Sequence, residues 1–174
     1  YVTTVATCFR NEKHYDGLRR LHGFSMREFI CVGPREAVQA HLSTFKSRIL
    51  EFARELELEL DVRPASDPFF QPDSGRAVLQ KLFPVKEEFV HADSLAVASL
   101  NFHRNFFGAR CRIHLRDGEP AFTGCVAFGL ERWLAALLEV HGHDAEVILA
   151  AFSRIGERAA LSWRIDTGTS GSTR

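Results

Sequence analysis

The sequence lacks several features that mark well-known classes of protein. It has no CxxC pair, no signal-peptide pattern at its N-terminus, and no apolar run near the roughly 20 residues that a membrane span requires. We therefore expect a soluble protein without a membrane partner. Its cysteines lie inside apolar runs, which is typical of reduced, buried thiols in a cytoplasmic protein and not of a disulfide framework. They are Cys8, Cys31, Cys111 and Cys125.

Excess charge of either sign is also missing. The 22 basic and 22 acidic residues cancel, so the overall balance lacks the electrostatic footprint of a nucleic-acid binder and leaves open only a local basic patch. The 174 residues suffice for one domain, and they contain no internal repeat. The chain opens on a strand-like segment without an initiating Met, from which we expect a fragment.

The apolar periodicity predicts an α+β fold, with a mostly antiparallel sheet flanked by helices. The predicted strands cover residues 2–10, 21–32, 85–90, 95–103, 109–115 and 121–128. A turn at 116–120 pairs the last two strands as a hairpin. The predicted helices cover residues 35–58, 75–82, 130–138 and 145–155. We expect one domain over residues 1–165 and a disordered tail over 166–174.

The end of the first predicted strand carries polar residues that suit a nucleotide. Arg10 and Glu12 point the same way, because residues two apart in a strand share a face, and Phe24 and Glu28 share a face of the next strand. A fixed guanidinium pairs with phosphate oxygens, a flat ring stacks on a base, and Glu12 can accept from an exocyclic amine. The alternative is a surface ion pair between Arg10 and Glu12, with Phe24 in the core.

A second polar segment, residues 122–132, is a predicted strand that meets a helix through glycine. Its small residues, among them Gly124 and Gly129, are expected to let the backbone approach a ligand. Arg132 in the first helical turn is unfavourable to the helix dipole and so indicates an anionic partner, although the neighbouring Glu131 offers a structural explanation.

Together the two segments resemble motifs 2 and 3 of class II aminoacyl-tRNA synthetases. Motif 2 is Phe9-Arg10-Asn11-Glu12, a loop and His22-Gly23-Phe24, and motif 3 runs from Gly124 to Arg132. Within this class, the residues of the motifs are most similar to one branch, the amino acid–carrier protein ligases. These enzymes are truncated relatives of seryl-tRNA synthetase. Further matching segments are Met26-Arg27-Glu28-Phe29, Asp67-Pro68-Phe69-Phe70, residues 98–103 with Phe107-Gly108, and residues 125–129.

The resemblance implies a class II synthetase-like catalytic core and a role for each matching residue. Arg10 is expected to bind the α-phosphate of ATP, and Arg132 is expected to bind ATP on the side of its γ-phosphate. These two are therefore the expected catalytic residues. Glu12 and Phe24 are expected to hold the adenine. The amino-acid pocket is expected to be lined by Ser99 and Asn101.

The resemblance also implies a zinc ion. In zinc-containing seryl enzymes a Cys, a Glu and a second Cys bind Zn²⁺ and leave a position for the amino group of the substrate. Glu28 and Cys125 match the second and third ligands. An open three-ligand site suits this role, because the vacant position can take an amine. The first cysteine and the dimer-forming motif 1 are expected upstream of Tyr1.

Two smaller expectations concern Mg²⁺ and the other thiols. The glutamate that binds Mg²⁺ in seryl enzymes is not found at the matching position, which leaves Asp93 or Glu88 as candidate ligands. Cys8 and Cys111 are interpreted as core residues and not as zinc ligands.

By this resemblance the protein uses ATP to activate a small amino acid, glycine or alanine, as its adenylate and passes it to the phosphopantetheine thiol of a carrier protein. The full-length protein is expected to be a homodimer that binds no tRNA. The alternatives are a seryl-like tRNA synthetase and a non-catalytic module that binds a nucleotide. Arg35, Lys46, Arg48 and Arg54 on the long predicted helix could dock a carrier, but a solvated helix face explains them better.

Overall fold

The strands of the protein form one sheet. The computed structural model describes residues 1–65 and 85–167, with side chains up to residue 157. The strands are β1 (Val2–Phe9), β2 (Gly23–Gly33), β3 (Leu60–Pro64), β4 (Lys86–His91), β5 (Leu95–Arg104) and β6 (Phe122–Gly129). They are ordered β1-β2-β6-β5-β4-β3, and every neighbouring pair is antiparallel. The predicted α+β class with an antiparallel sheet is confirmed.

Four helices accompany the sheet in the described residues. They are α1 (Arg35–Glu55), α2 (Phe106–Cys111), α3 (Leu130–His141) and α4 (Ala145–Thr167). Within residues 1–65 and 85–167, none of these helices combines the length and apolarity needed to cross a membrane. The predicted helix over residues 75–82, the Asp67–Phe70 segment and residues 168–174 of the predicted tail lie outside the described residues.

The core lies between one face of the sheet and the helices α1 and α3. Phe89 of the sheet and Ile49 of α1 are completely buried there, and Trp133 of α3 packs on Phe128 of β6. Gly124 also belongs to this face, because a Cβ at this position would lie 2.7 Å from Val38 Cγ1 of α1. Gly124 therefore lets a helix approach the sheet, which differs from its expected role beside a ligand.

The predicted strand over residues 109–115 is wrong. Residues 106–111 form α2, and a turn follows that is closed by a hydrogen bond from the Leu115 N–H to the Glu119 carbonyl (2.8 Å). The predicted turn is present, because His114 and Pro120 form an antiparallel bridge and the Ala121 N–H donates to the Ile113 carbonyl (2.9 Å), but strand β6 itself pairs with β2 and β5. The missing side chain of Gly108 lets α2 lie directly on the Ala121 backbone.

The four thiols are all free, as expected, but not all are buried. Cys31 and Cys125 lie in the core, whereas Cys8 is half-buried. The assignment of Cys111 to the core is wrong, because the residue ends a short surface helix and is exposed. Apolar neighbours in the sequence indicated a strand that the chain does not form here.

Candidate functional site

A cleft opens on the sheet face that α1 and α3 leave uncovered. The hairpin β1–β2, strands β5 and β6 and the start of α3 form its walls. Side chains two apart on β2, β5 and β6 point into it, because strands alternate their faces. Its lining includes Arg10, Glu12, Arg19, Phe24, Met26, Lys86, Glu88, Ser99, Ala127, Gly129 and Arg132.

Glu12 sits between two guanidinium groups at the mouth of the β1–β2 hairpin. Its carboxylate lies 2.6 Å from Arg20 Nη1 and 3.4 Å from Arg10 Nη1, and only 8% of its side chain is exposed. Burial raises the pKa of Glu12, but the hydrogen bond and charge of Arg20 and then those of Arg10 outweigh burial and lower it. Glu12 is therefore a carboxylate that keeps the two arginines in place.

Phe24 faces the same space from β2. The Arg10 guanidinium carbon lies 5.2 Å from the centre of the Phe24 ring, within the range of a cation–π contact. The Arg10 N–H also donates to the His22 carbonyl (2.8 Å), which closes the hairpin behind the ring. Arg10 keeps 53% of its side chain exposed, so its charge remains available to a ligand in the cleft.

Arg132 approaches the cleft from the first turn of α3. Its Nε donates to the Arg19 carbonyl (3.0 Å), and its Nη1 donates to the Ala96 carbonyl (3.1 Å). Burial, followed by the charges of Arg10 and Arg20, lowers the pKa of Arg132. Among the ion pairs of the described residues none includes Arg132. A half-buried cation beside two others favours an anionic ligand.

Glu131, the structural explanation considered for Arg132, forms no ion pair with it among the described residues. Both carboxylate oxygens of Glu131 accept from the Ser25 N–H at 2.9 Å, which ties α3 to the start of β2. Glu131 is thus bound to the backbone of a neighbouring strand, and the carboxylates whose charges act on Arg132 are those of Glu88 and Glu12.

The loop between β1 and β2 is held over the cleft by Arg19. Its guanidinium pairs with Glu139 of α3 and donates to Ser94 Oγ (2.9 Å), while its carbonyl accepts from Arg132. These partners lie far from Arg19 in the sequence, so only the fold brings them together. Arg19 and Arg20 were both missed by sequence reasoning, because a predicted polar loop gives no sign of where its side chains point.

The two residues expected in the amino-acid pocket lie side by side. Ser99 and Asn101 point to the cleft face of β5, and the Asn101 amide donates to Ser99 Oγ (3.1 Å). Ser99 lines the cleft beside Ala127, its register partner on β6. Asn101 lies one step further along the same face, opposite Cys125.

The two expected zinc ligands also meet. The Cys125 thiol donates to Glu28 Oε1 (3.4 Å) across the β2–β6 pair. Burial first, and then the charge and hydrogen bond of Glu28, raise the pKa of the Cys125 thiol to about 12. No group of three His, Cys, Asp or Glu side chains suited to a metal occurs within residues 1–65 and 85–157. This part of the chain therefore supplies two adjacent donors.

The two candidate Mg²⁺ ligands are separated by the structure. Glu88 lines the cleft opposite Ser99 and pairs with Lys86 at 3.1 Å. Asp93 lies in the exposed turn between β4 and β5, where its carboxylate pairs with Arg63 at 2.5 Å. Of the two, only Glu88 can reach a ligand in the cleft.

Comparison with known proteins finds sequence relatives that are named as ligases. No protein-family model matches the chain. Over 148 residues, 80% of its length, the chain is 40% identical to amino acid–(acyl-carrier-protein) ligase 1 of Bradyrhizobium diazoefficiens. The chain is a sequence relative of the carrier-protein ligases. It is also 27% identical over 143 residues to the type-2 serine–tRNA ligase of Methanopyrus kandleri. It spans 44% of the first relative and 27% of the second.

Solved structures show the same class II synthetase fold in relatives of low identity. The seryl-tRNA synthetase of M. kandleri, in a complex with A. aeolicus tRNASec, matches 88% of this chain with a TM-score of 0.69 and 22% identity. The seryl-tRNA synthetase of Pyrococcus horikoshii, complexed with ATP, matches 83% with a TM-score of 0.56 and 18% identity. Each match spans 33% of the solved chain. This relative of the carrier-protein ligases therefore has a class II synthetase fold.

Proposed function

We propose that this chain carries the ATP-binding part of an enzyme that activates a small amino acid and transfers it to the phosphopantetheine thiol of a carrier protein. The observation that carries the proposal is the half-buried guanidinium of Arg132, which lines the cleft together with Arg10 and takes part in no ion pair among the described residues. Four cationic side chains line the cleft, Arg10, Arg19, Lys86 and Arg132, against three carboxylates, Glu12, Glu88 and Glu131, and the remaining positive charge suits a polyphosphate.

The proposed reaction needs position and charge stabilisation more than covalent chemistry. The carboxylate of the amino acid attacks the α-phosphorus of ATP in line, and pyrophosphate leaves. Arg10 takes up charge on the α-phosphate, and Arg132 holds the γ-phosphate side, since its two backbone hydrogen bonds fix the guanidinium before the nucleotide arrives. The carrier thiol then attacks the mixed anhydride, and AMP leaves.

The adenine is assigned to the space between Phe24 and Glu12. Phe24 offers a ring face, and Glu12 offers carboxylate oxygens whose low pKa keeps them as acceptors at neutral pH. At the other end of the cleft, Ser99 and Asn101 face the amino acid. Ala127 is the register partner of Ser99 in this lining, and glycine or alanine is the proposed substrate.

The donors Glu28 and Cys125 fit two positions of a zinc site. Tetrahedral Zn²⁺ with ordinary bond lengths separates a carboxylate oxygen from a thiolate sulfur by about 3.6 Å, close to the 3.4 Å between Glu28 Oε1 and Cys125 Sγ. A zinc ion there would offer a position to the amino group of the substrate. The third zinc ligand would come from a residue outside those described.

We assign the Mg²⁺ ion to Glu88.

The acceptor is proposed to be a carrier protein and not tRNA, because the relatives with 40% and 39% identity are both named as carrier-protein ligases. The serine–tRNA ligases, at 27% identity, support tRNA as the competing acceptor. We also propose a cytoplasmic homodimer for the whole protein, in line with its four free thiols.

Amino-acid-dependent exchange of pyrophosphate into ATP tests the proposal, in a protein extended upstream of Tyr1. Exchange is expected with glycine or alanine, and label should then pass to a holo carrier protein. Absence of exchange with every amino acid would overturn the proposed activity, and label on tRNA would overturn the acceptor.

Replacing Arg10 tests the assignment of the cleft. Arg10→Ala should abolish exchange, because the charge on the α-phosphate loses its partner, whereas Arg54→Ala on the exposed face of α1 should leave exchange unchanged. Cys125→Ser should raise the KM for the amino acid more than the KM for ATP. Unchanged kinetics in the Arg10 variant would contradict the site.

A further inference from the structure

Four arginines lie between the end of strand β5 and residue 116, with no acidic residue between them. The chain has no Asp or Glu from residue 94 to residue 116, although acidic and basic residues balance over its full length. Helix α2 carries two exposed aromatic rings within this run. We call this surface the arginine–aromatic patch, and it consists of Arg104, Phe106, Phe107, Arg110, Arg112 and Arg116.

The guanidinium groups of the patch form no ion pairs with the described residues and can bind a partner. None of its four arginines takes part in an ion pair among the described residues, where nine such pairs occur. Asp117 and Glu119 lie in the same turn as Arg116, where Asp117 Oδ1 accepts from the Glu119 N–H (3.1 Å), and neither carboxylate forms an ion pair with an arginine of the patch among the described residues. The patch is therefore a concentrated positive surface on a neutral chain.

The aromatic rings of the patch are exposed yet ordered. Phe106 and Phe107 are 44% and 41% exposed, and their ring centres lie 5.2 Å apart in an edge-to-face arrangement. The Arg110 guanidinium covers Phe106 at 4.8 Å. Exposed aromatic rings and arginines are the residues that most often anchor protein interfaces.

The backbone fixes this surface in an unusual way. Arg104 and Arg112, on either side of α2, have φ angles of 54° and 55°, a left-handed conformation that is uncommon outside glycine. Between them Gly108 anchors α2, because a Cβ there would lie 2.1 Å from the Ala121 carbonyl oxygen. The helix is thus held with its polar and aromatic side chains outward.

The patch connects to the amino-acid end of the cleft. Phe107 packs edge-on against His103 with ring centres 5.1 Å apart, and His103 Nδ1 lies 3.1 Å from Thr123 Oγ1. Thr123 continues the strand face of Cys125, about 7 Å further along β6, and His103 reaches it from the point where the β5–β6 register shifts. A partner bound on the patch could therefore send a flexible thiol arm to the proposed adenylate.

We propose that the arginine–aromatic patch docks the acidic surface of the carrier protein, an inference that rests on the proposed function. Four arginines complement a helix rich in carboxylates, and the two rings supply apolar contact. Protein is favoured over RNA because the patch is small, the chain has no net charge, and the relatives of higher identity act on carrier proteins by name. The arginines of α1 are the matched alternative surface.

Charge reversal on the two surfaces provides the test. Arg110→Glu with Arg116→Glu changes the patch at two residues outside the left-handed region, and Arg48→Glu with Arg54→Glu makes the same charge change on α1. Fluorescence anisotropy with a labelled holo carrier protein measures binding directly. We expect the patch variant to weaken binding by about tenfold or more, with a reduced salt dependence, and the α1 variant to bind normally.

Activity assays separate failure of docking from failure of the proposed function. Pyrophosphate exchange and aminoacylation of free pantetheine should be unchanged in the patch variant, while the KM for the holo carrier rises. Unchanged carrier binding in the patch variant, loss of binding in the α1 variant, or a loss confined to tRNA binding would each overturn the inference. A protein without exchange would refute the proposed activity, and anisotropy would still decide the docking surface.

Discussion

At the scale of single residues, the cleft is defined by one carboxylate among several guanidiniums. Glu12 bonds Arg20 and Arg10, and Arg132 stands nearby with only backbone carbonyls as partners. A carboxylate in this position orders the arginines but cannot neutralise all of them. The remaining charge favours an anionic ligand, and the ion pair between Arg10 and Glu12 that was considered as the alternative is present at 3.4 Å.

Glu12 should contribute to stability in a pH-dependent way. Because the pKa of Glu12 is lowered by folding, its contribution is complete above about 4.3, the usual value for Glu, and is lost as the pH falls through the lower folded pKa. Glu12→Gln should therefore lower the Tm near neutral pH, and the difference from the unchanged protein should shrink below about pH 4. Circular dichroism melts measure this.

The exposed carboxylate of Glu51 on α1 provides the control. Glu51→Gln should show no such change in the Tm difference between neutral and acidic pH. A Tm difference for Glu12→Gln that stays constant from neutral to acidic pH would contradict the role of Glu12.

The two cysteines with the most different surroundings should react at different rates. Cys111 is exposed, whereas Cys125 is 6% exposed and its pKa is raised to about 12, so almost none of it is thiolate at neutral pH. Iodoacetamide with peptide mass spectrometry should modify Cys111 first and leave Cys125 unmodified until the protein unfolds. Equal rates in the native protein would contradict the buried pairing of Cys125 with Glu28.

At the scale of elements, glycine decides how helices meet the sheet. Gly124 receives α1, and Gly108 receives the backbone of Ala121. The sequence around Gly108 alternates apolar and polar residues much as a strand does, and local pattern alone therefore predicted a strand there. The contact that selects a helix lies 13 residues further along the chain, beyond the reach of periodicity.

Substitution of Gly108 should test this packing. Gly108→Ala places a Cβ 2.1 Å from the backbone oxygen of Ala121, and such overpacking typically costs about 1–3 kcal/mol. Gly156→Ala in α4 is the matched control, since nothing lies within 4 Å of its added Cβ, and it should stabilise the helix by about 0.5–1 kcal/mol. Urea unfolding measures both, and a neutral Gly108 variant would refute the contact.

The loop between β1 and β2 should depend on its tether. Its backbone bonds from the N–H groups of Asp16 and Arg20 are protected only while Arg19 binds Glu139 and Ser94. Arg19→Ala and Glu139→Gln should both speed hydrogen exchange in residues 13–21, with little effect on the strands. Equal exchange in all three proteins would mean that the loop is held by other contacts.

At the scale of the whole molecule, the two faces of one sheet have separate tasks. One face carries α1 and α3 and most of the apolar core, and the other face carries the cleft. Alternation along β6 assigns successive residues to the two faces, so Gly124 packs on α1 while Cys125 faces Glu28. Stability and ligand binding are thereby assigned to different side chains of the same strands.

Ligand binding should stabilise the whole fold. ATP at about 100 times its dissociation constant is expected to add about 2.7 kcal/mol to the free energy of unfolding, because it binds only the folded chain. A thermal shift should therefore accompany ATP, and Arg132→Ala should reduce it strongly, whereas Arg48→Ala on α1 should not. A full shift in the Arg132 variant would contradict the placement of the phosphates.

The fold class, most strands and the long helix could be predicted from the sequence, because periodicity and residue type are local properties, and the residues of the two motifs were found by their resemblance to a known family. The contact between Arg10 and Glu12 could also be anticipated, because residues two apart on a strand share a face. The bond from Ser25 to Glu131, the tether of the loop by Arg19 and the helix over residues 106–111 became visible only in the folded chain. Each of these three features is formed by residues that are far apart in the sequence, and the packed sheet brings those residues into contact.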